Sequence, residues 1–154
     1  MVVFYFFAAI VIGLGLLSLR SGIHFHTYVK TETGRTRTPF TPFLSIIVPC
    51  RGLDERLTEN IASLFVQDYP NYELVFVTDR NDDPSLKPIR ELIEQTHQPH
   101  VTARVVIAGK AVDQGQKVHN LTVAVSRIDS RSEVIVFVDT DGRPLSSWLA
   151  SSIT

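Results

Sequence analysis

Residues 134–142 read VIVFVDTDG, and how that stretch is parsed decides the fold. Its five leading residues are apolar and mostly β-branched, a run too short for a buried helix and suited to a strand buried on both faces. Asp139, Asp141 and Gly142 stop the run at once, so two carboxylates spaced i and i+2 leave a strand end together. The same kind of run recurs upstream at 44–49 (LSIIVP), 73–78 (ELVFVT) and 102–108 (TARVVIA). Helical patterns separate these runs. Leu57, Ile61, Leu64 and Phe65 share one helical face, with Asp54 placed to cap that helix and Asp68-Tyr69-Pro70 to end it. Ser85 is placed to cap a second helix through about residue 96, residues 116–128 form a third, and a fourth occupies 145–153. Strands alternating with helices in this order predict an α/β fold. Its core is a Rossmann-like parallel sheet, covered on both faces and joined by right-handed crossovers.

The N-terminal end has a different composition. Residues 2–19, VVFYFFAAIVIGLGLLSL, carry no charge. At about 1.5 Å per residue that helix spans roughly 27 Å, close to the ~30 Å hydrocarbon core of a bilayer. A cleaved signal peptide would want a basic leader and a small-residue cleavage site, and neither is visible. Residues 1–20 therefore read as one transmembrane helix. Gly13 and Gly15 lie inside the apolar run and read as helix-packing or neutral residues rather than as a nucleotide loop. After the run, Arg20, Lys30, Arg35 and Arg37 stand against one acid, Glu32, and no basic side chain precedes it. The positive-inside rule then predicts a single-pass anchor with the rest of the chain in the cytoplasm. His24 and His26 lack further metal ligands and read as interfacial. Residues 21–43 read as a juxtamembrane linker, polar and punctuated by proline through 31–42 (TETGRTRTPFTP).

Residues 44–154 form the remaining domain, with 11 basic and 15 acidic side chains. The whole chain of 154 residues has a formal net charge of −1 and a mean hydropathy of +0.11. It lacks the basic excess of a nucleic-acid binder. The single cysteine, Cys50, excludes an internal disulfide framework and suits a reducing compartment.

In an open parallel sheet, ligands sit outside the carboxyl ends of the strands, which singles out the loops after Pro49, from Asp79 and from Asp139. No G-x-G-x-x-G follows the first strand, and no G-x-x-x-x-G-K-[ST] occurs, so dinucleotide and P-loop sites are unsupported. Asp139 and Asp141 could share one hard divalent cation, Mg²⁺ or Mn²⁺, with substrate phosphates. Taken alone, Asp-x-Asp-Gly reads first as a turn, and its place at the end of the fourth strand brings the metal reading level with that one. Asp79 at the end of the second strand could accept a hydrogen bond from a base or ribose, or could serve as a loop or cap residue. Lys117 and Asn120 lie one helical turn apart on one face, where the lysine could meet a phosphate or simply be exposed. Arg51 has the same two readings. His119 lies off that face and reads as structural or exposed, and Asp82 and Asp83 read as solvated.

The order of these landmarks resembles a known family. SIIVPCRG, QDYPNYELVFVTDRNDDPS, AGKAVDQGQKVHNL and DTDG, in that sequence, resemble the inverting, processive-type family 2 glycosyltransferases with a GT-A fold. Within them they look most like the ceramide glucosyltransferase branch and its bacterial relatives linked to hopanoid or other lipid glycosylation. An N-terminal membrane helix before the domain is part of that branch's architecture. The resemblance covers residues 44–154 and implies the N-terminal half of a GT-A fold, using a nucleotide-sugar donor (UDP-linked), Mg²⁺ or Mn²⁺, and a membrane lipid acceptor. It implies that Asp79 contacts the uridine, that Lys117 and Asn120 form a K-x-x-N segment near the nucleotide, that Asp139 serves both the diphosphate and the metal, and that Asp141 completes the metal pair.

Relatives carry further along a third aspartate as general base, a Q/R-x-x-R-W motif and more membrane helices. None is present, and Trp148 is not in such a motif. The expectation is therefore a donor-binding half that lacks the base and does not turn over alone. Two other classes stay open. One is a non-catalytic membrane protein that keeps a degenerate GT-A fold. The other is a sugar-nucleotide nucleotidyltransferase, which would want a Gly- and Arg-rich loop where this chain has only Pro49-Cys50-Arg51-Gly52.

Overall fold

The structure is a computed structural model describing residues 1–34, 40–96 and 98–153. It divides into two units, residues 1–38 and 39–154.

The first unit is one helix, α1 (Val2–Thr33), none of whose residues is buried. It runs past the apolar stretch that predicted a helix over residues 1–20. The physical reason lies in the next turns, which contain no proline. Thr27 and Thr31 send their hydroxyls back to the carbonyls of Ile23 and Thr27 at 3.0 and 2.9 Å, satisfying themselves within the helix. Gly34 closes it, donating its amide to the Glu32 carbonyl. Residues 21–33 of the predicted linker are thus helical, and residues 35–39 of that linker lie outside the described residues.

The second unit begins with β1 (Leu44–Pro49) and alternates thereafter: α2 (Leu57–Leu64), β2 (Tyr72–Thr78), α3 (Leu86–Gln95), β3 (Val101–Ile107), α4 (Gln116–Val125), β4 (Val134–Phe137) and α5 (Trp148–Ile153). All strands are parallel, in the order β3-β2-β1-β4. Leu44 pairs with both Tyr72 and Val134, and Ile47 with Val75 and Phe137, so alternate residues of neighbouring strands share a face. One face carries Leu44, Ile46 and Val48 with Leu74 and Phe76, packed under Leu57, Ile61 and Leu64 of α2, Ile89 of α3 and Leu149 of α5. The other carries Ile47, Val75 and Val77 under Ala124 and Leu121 of α4.

β1 and β2 are buried on both faces, as their continuous apolar runs predict. The outer strands are not. On the α4 face of β4, Ile135 and Phe137 stay 37% and 54% exposed, so cover on that face stops at β1. The expectation of a sheet covered throughout holds on its central strands only.

Candidate functional site

The chain moves outward from β1 through β2 to β3, then returns across α4 to β4 on the other side of β1. β1 and β4 are therefore the point at which the winding reverses, where such sheets open a crevice at the strand carboxyl ends. A cavity of about 360 Å³ lies there, and its walls include Arg51, Lys117, Asn120, Asp139, Thr140 and Asp141. Val138 donates its amide to the Ile47 carbonyl at 3.0 Å, extending the sheet to the threshold of the acidic turn. The turn is closed by the Gly142 amide on the Asp139 carbonyl at 3.2 Å.

Lys117 enters from the first turn of α4, and its Nζ lies 2.6 Å from Asp139 Oδ1. Both side chains are about 60% exposed (61% and 59%), so the pair contributes on the order of 0–1 kcal/mol and can be exchanged for a ligand's charges. Asn120, one turn on, is buried and accepts Gln116 Nε2 at 2.7 Å. Gln116 also donates to the Gly109 carbonyl at 2.8 Å and accepts the Ala111 amide at 2.9 Å. That glutamine ties α4 to the loop before it, where Gly109 has φ +79°, a conformation open to glycine. His119 faces the Ala108 carbonyl and Gln114.

Four sequence-predicted residues, Lys117, Asn120, Asp139 and Asp141, thus line one cavity. Asp79 does not line it. It lies half-buried at the end of β2, with Thr78 Oγ1 3.4 Å from its carboxylate. Asp139 and Asp141 present hard oxygen donors, and among the described residues no third His, Cys, Asp or Glu joins them in a cluster. Two carboxylates with the remaining positions open fit a Mg²⁺- or Mn²⁺-type ion shared with water and phosphate oxygens, not a closed structural cage.

Two expectations need correction. Asp54 does not cap α2. Arg56 occupies the cap position, and Asp54 offers its backbone carbonyl to the Leu57 amide at 3.1 Å, leaving its side chain on the cavity wall. Asp83 is not solvated but buried, accepting the Gly52 amide at 3.0 Å, the Ser85 amide at 2.9 Å and the Ser85 hydroxyl at 2.7 Å. Burial opposes its charge, but the bonds from Ser85 and Gly52 and the field of Arg80 outweigh that and hold the carboxyl below its ordinary range. It clamps the loop after β1, where Gly52 has φ +72°, onto the loop after β2. Burial, with Asp83 nearby, pushes the Cys50 thiol up to about 12. The sequence reading also missed Asn60, whose buried amide donates to the Thr140 carbonyl at 3.0 Å. Its signal was positional: Asn60 falls in the stripe Leu57, Ile61, Leu64, where an apolar residue would be expected.

Comparison with known proteins gives this geometry a family. The sequence profile of glycosyl transferase family 21 matches residues 3–148. The chain belongs to glycosyl transferase family 21. Among curated relatives, this family 21 chain is 31% identical over 86 residues to ceramide glucosyltransferase 1 of Caenorhabditis elegans, covering 56% of the chain and 18% of that protein. It is 35% identical over 83 residues to ceramide glucosyltransferase 3 of the same organism, covering 54% and 18%. The chain thus spans less than a fifth of the length of either. Among solved structures, a mannosyltransferase of Pyrobaculum calidifontis in complex with GDP-Man and Mn²⁺ superposes with a TM-score of 0.63 at 22% identity, over 94% of this chain and 42% of that one. Staphylococcus aureus TarS 1-349 superposes with a TM-score of 0.53 at 24% identity, over 73% and 31%. These establish a GT-A-like fold, and the family and its relatives make the chain a glycosyltransferase by resemblance.

Proposed function

We propose that this family 21 chain forms the donor-binding face of a membrane-anchored, inverting glycosyltransferase. The donor is a UDP-sugar and the acceptor a membrane lipid. The observation that carries the reading is the convergence of Lys117, Asn120, Asp139 and Asp141 on one cavity at the winding reversal. The ceramide glucosyltransferase names of its relatives support a lipid acceptor, and the exposed apolar helix α1 supports a membrane location.

In this reading Asp139 and Asp141 hold a Mg²⁺ or Mn²⁺ ion, which when bound neutralises the diphosphate leaving group as a Lewis acid. Lys117 exchanges Asp139 for a phosphate oxygen, so positive charge already stands where negative charge develops. Asn120, fixed by Gln116, offers its remaining amide hydrogens to the donor. Asp79 lies outside the cavity on the neighbouring strand and meets the far end of an extended donor, the uridine. A cytoplasmic domain follows from the basic flank of α1 and gives access to nucleotide sugars.

Thermal unfolding of the full chain in detergent tests the reading. UDP with Mn²⁺ at ten times the dissociation constant adds about 1.4 kcal/mol of stability and must raise the midpoint. Asp139→Asn and Asp141→Asn should each abolish the rise. A folded wild-type chain whose midpoint is indifferent to millimolar UDP and Mn²⁺ favours a non-catalytic membrane protein instead.

A further inference from the structure

We propose that Asn60 is a positioning residue for the acidic turn. Its amide, held in α2, fixes the Thr140 peptide and through it the direction of the Asp139 and Asp141 carboxylates. The inference rests on the reading of those two carboxylates as the cation-holding pair.

After Val138 the chain has left the sheet, and few bonds hold it. The Gly142 amide on the Asp139 carbonyl is internal to the turn and cannot orient it against the rest of the domain. Lys117 and Glu59 reach the segment through ion pairs to Asp139 and Arg143, but all four side chains are more than half exposed and anchor weakly. Asn60 differs in kind. It is 7% exposed, and its Nδ2 donates to the Thr140 carbonyl at 3.0 Å. It stands on a rigid base, because Leu57, Ile61 and Leu64 on either side of it are buried in the core.

The position of the bond matters as much as its burial. Thr140 is the residue between the two aspartates. Its carbonyl points inward to α2, while Asp139 and Asp141 are exposed and line the cavity. Pinning the central peptide leaves the two flanking side chains on the open side, as a shared cation requires of both. A polar amide set among the buried Leu57, Ile61 and Leu64 of α2 has the Thr140 carbonyl as its reason for being there.

The test uses the full chain in detergent with Asn60→Leu, which keeps the branched side-chain skeleton and deletes the donor. Asn60→Asp, the same shape with no hydrogen to donate when ionised, is the second variant should leucine impair folding. Two readouts are needed. One is amide exchange of ¹⁵N-labelled Gly142, referenced to Gly52 and Gly109. The other is Mn²⁺ uptake in the presence of UDP, followed by the paramagnetic signal of free Mn²⁺. Loss of the tether should speed Gly142 exchange about tenfold and weaken Mn²⁺–UDP uptake about tenfold, with the unfolding midpoint retained. Unchanged exchange overturns the proposal, as does faster exchange with unchanged uptake. If the wild type takes up neither Mn²⁺ nor UDP while Gly142 exchange still separates the variants, the donor reading fails and the tether is supported on its own.

Discussion

Glu73 shows how one residue can escape a sequence reading. In ELVFVT it looks like a polar strand start, yet it is 1% exposed and sits inside β2. Two neighbouring strands and a loop converge on it. Ser45 Oγ of β1 donates to its Oε1 at 2.5 Å, the Asp129 amide donates to the same oxygen at 2.6 Å, and Arg104 of β3 lies 2.9 Å from Oε2. Ser45 in turn bonds Ser132 at 2.7 Å. A buried carboxylate is tolerable only when satisfied in this way. Glu73→Ala should therefore cost about 3 kcal/mol, the lower end for breaking a buried pair, because Arg104 retains solvent access. Glu73→Gln, which keeps one acceptor oxygen, should cost less than half of that. Urea unfolding measures both, and an alanine variant within about 1 kcal/mol of wild type would show the network to be dispensable.

At the scale of elements, the strands were legible because each is a short, mostly apolar run rich in β-branched residues, and their observed ends differ from the sequence reading by no more than a single residue. Helix ends were harder. α4 stops at Val125, not residue 128, because the Ser126 hydroxyl turns back to the Val123 carbonyl and the Arg127 amide takes the Ala124 carbonyl, tightening the last turn. α5 starts only at Trp148, because the Ser146 carbonyl is taken by the Asp68 amide and the Leu149 amide by Gln67 Oε1. Those partners are 78 and 82 residues away, beyond any local pattern. The candidate site divides in the same way. Asp139, Asp141, Lys117 and Asn120 could be found from strand ends and helical spacing, whereas the supports Asn60, Gln116 and Asp83 become visible only once α2, α4 and two loops are assembled.

Asp83 is the support with a pH signature. Its carboxyl is held below its ordinary value in the fold, so its stabilising contribution is fully present above the unfolded pKa of about 3.9 and is lost as pH falls through the lower folded value. Asp83→Asn keeps the shape, removes the charge and sets an amide NH₂ where the second carboxylate oxygen accepts the Gly52 amide. The variant should be less stable than wild type at pH 7. The difference should shrink below about pH 4, and a variant parallel to wild type from about pH 7 to about pH 3 would exclude the clamp.

For the molecule as a whole, the two units pose different physical problems. The sheet buries β2 and all of β1 but Pro49, and leaves Ile135 and Phe137 exposed on β4, apolar surface left uncovered among the described residues. The helix α1 has no buried residue at all, and 32 residues at about 1.5 Å each make it some 48 Å long. That exceeds a hydrocarbon core of ~30 Å by several turns, so the apolar 2–19 stretch can lie in the bilayer while Arg20, His24, His26 and Lys30 stand in or beyond the headgroups. Membranes carrying the chain should keep it through alkaline carbonate washing, and deletion of residues 2–19 should release it. Orientation is a separate question, and the basic residues after the helix predict that the domain following it faces the cytoplasm. Trypsin added outside intact cells should leave the 44–154 domain whole, and the same trypsin after lysis should cut it. Digestion in intact cells would invert the topology, while UDP and Mn²⁺ binding in detergent tests the donor reading on its own.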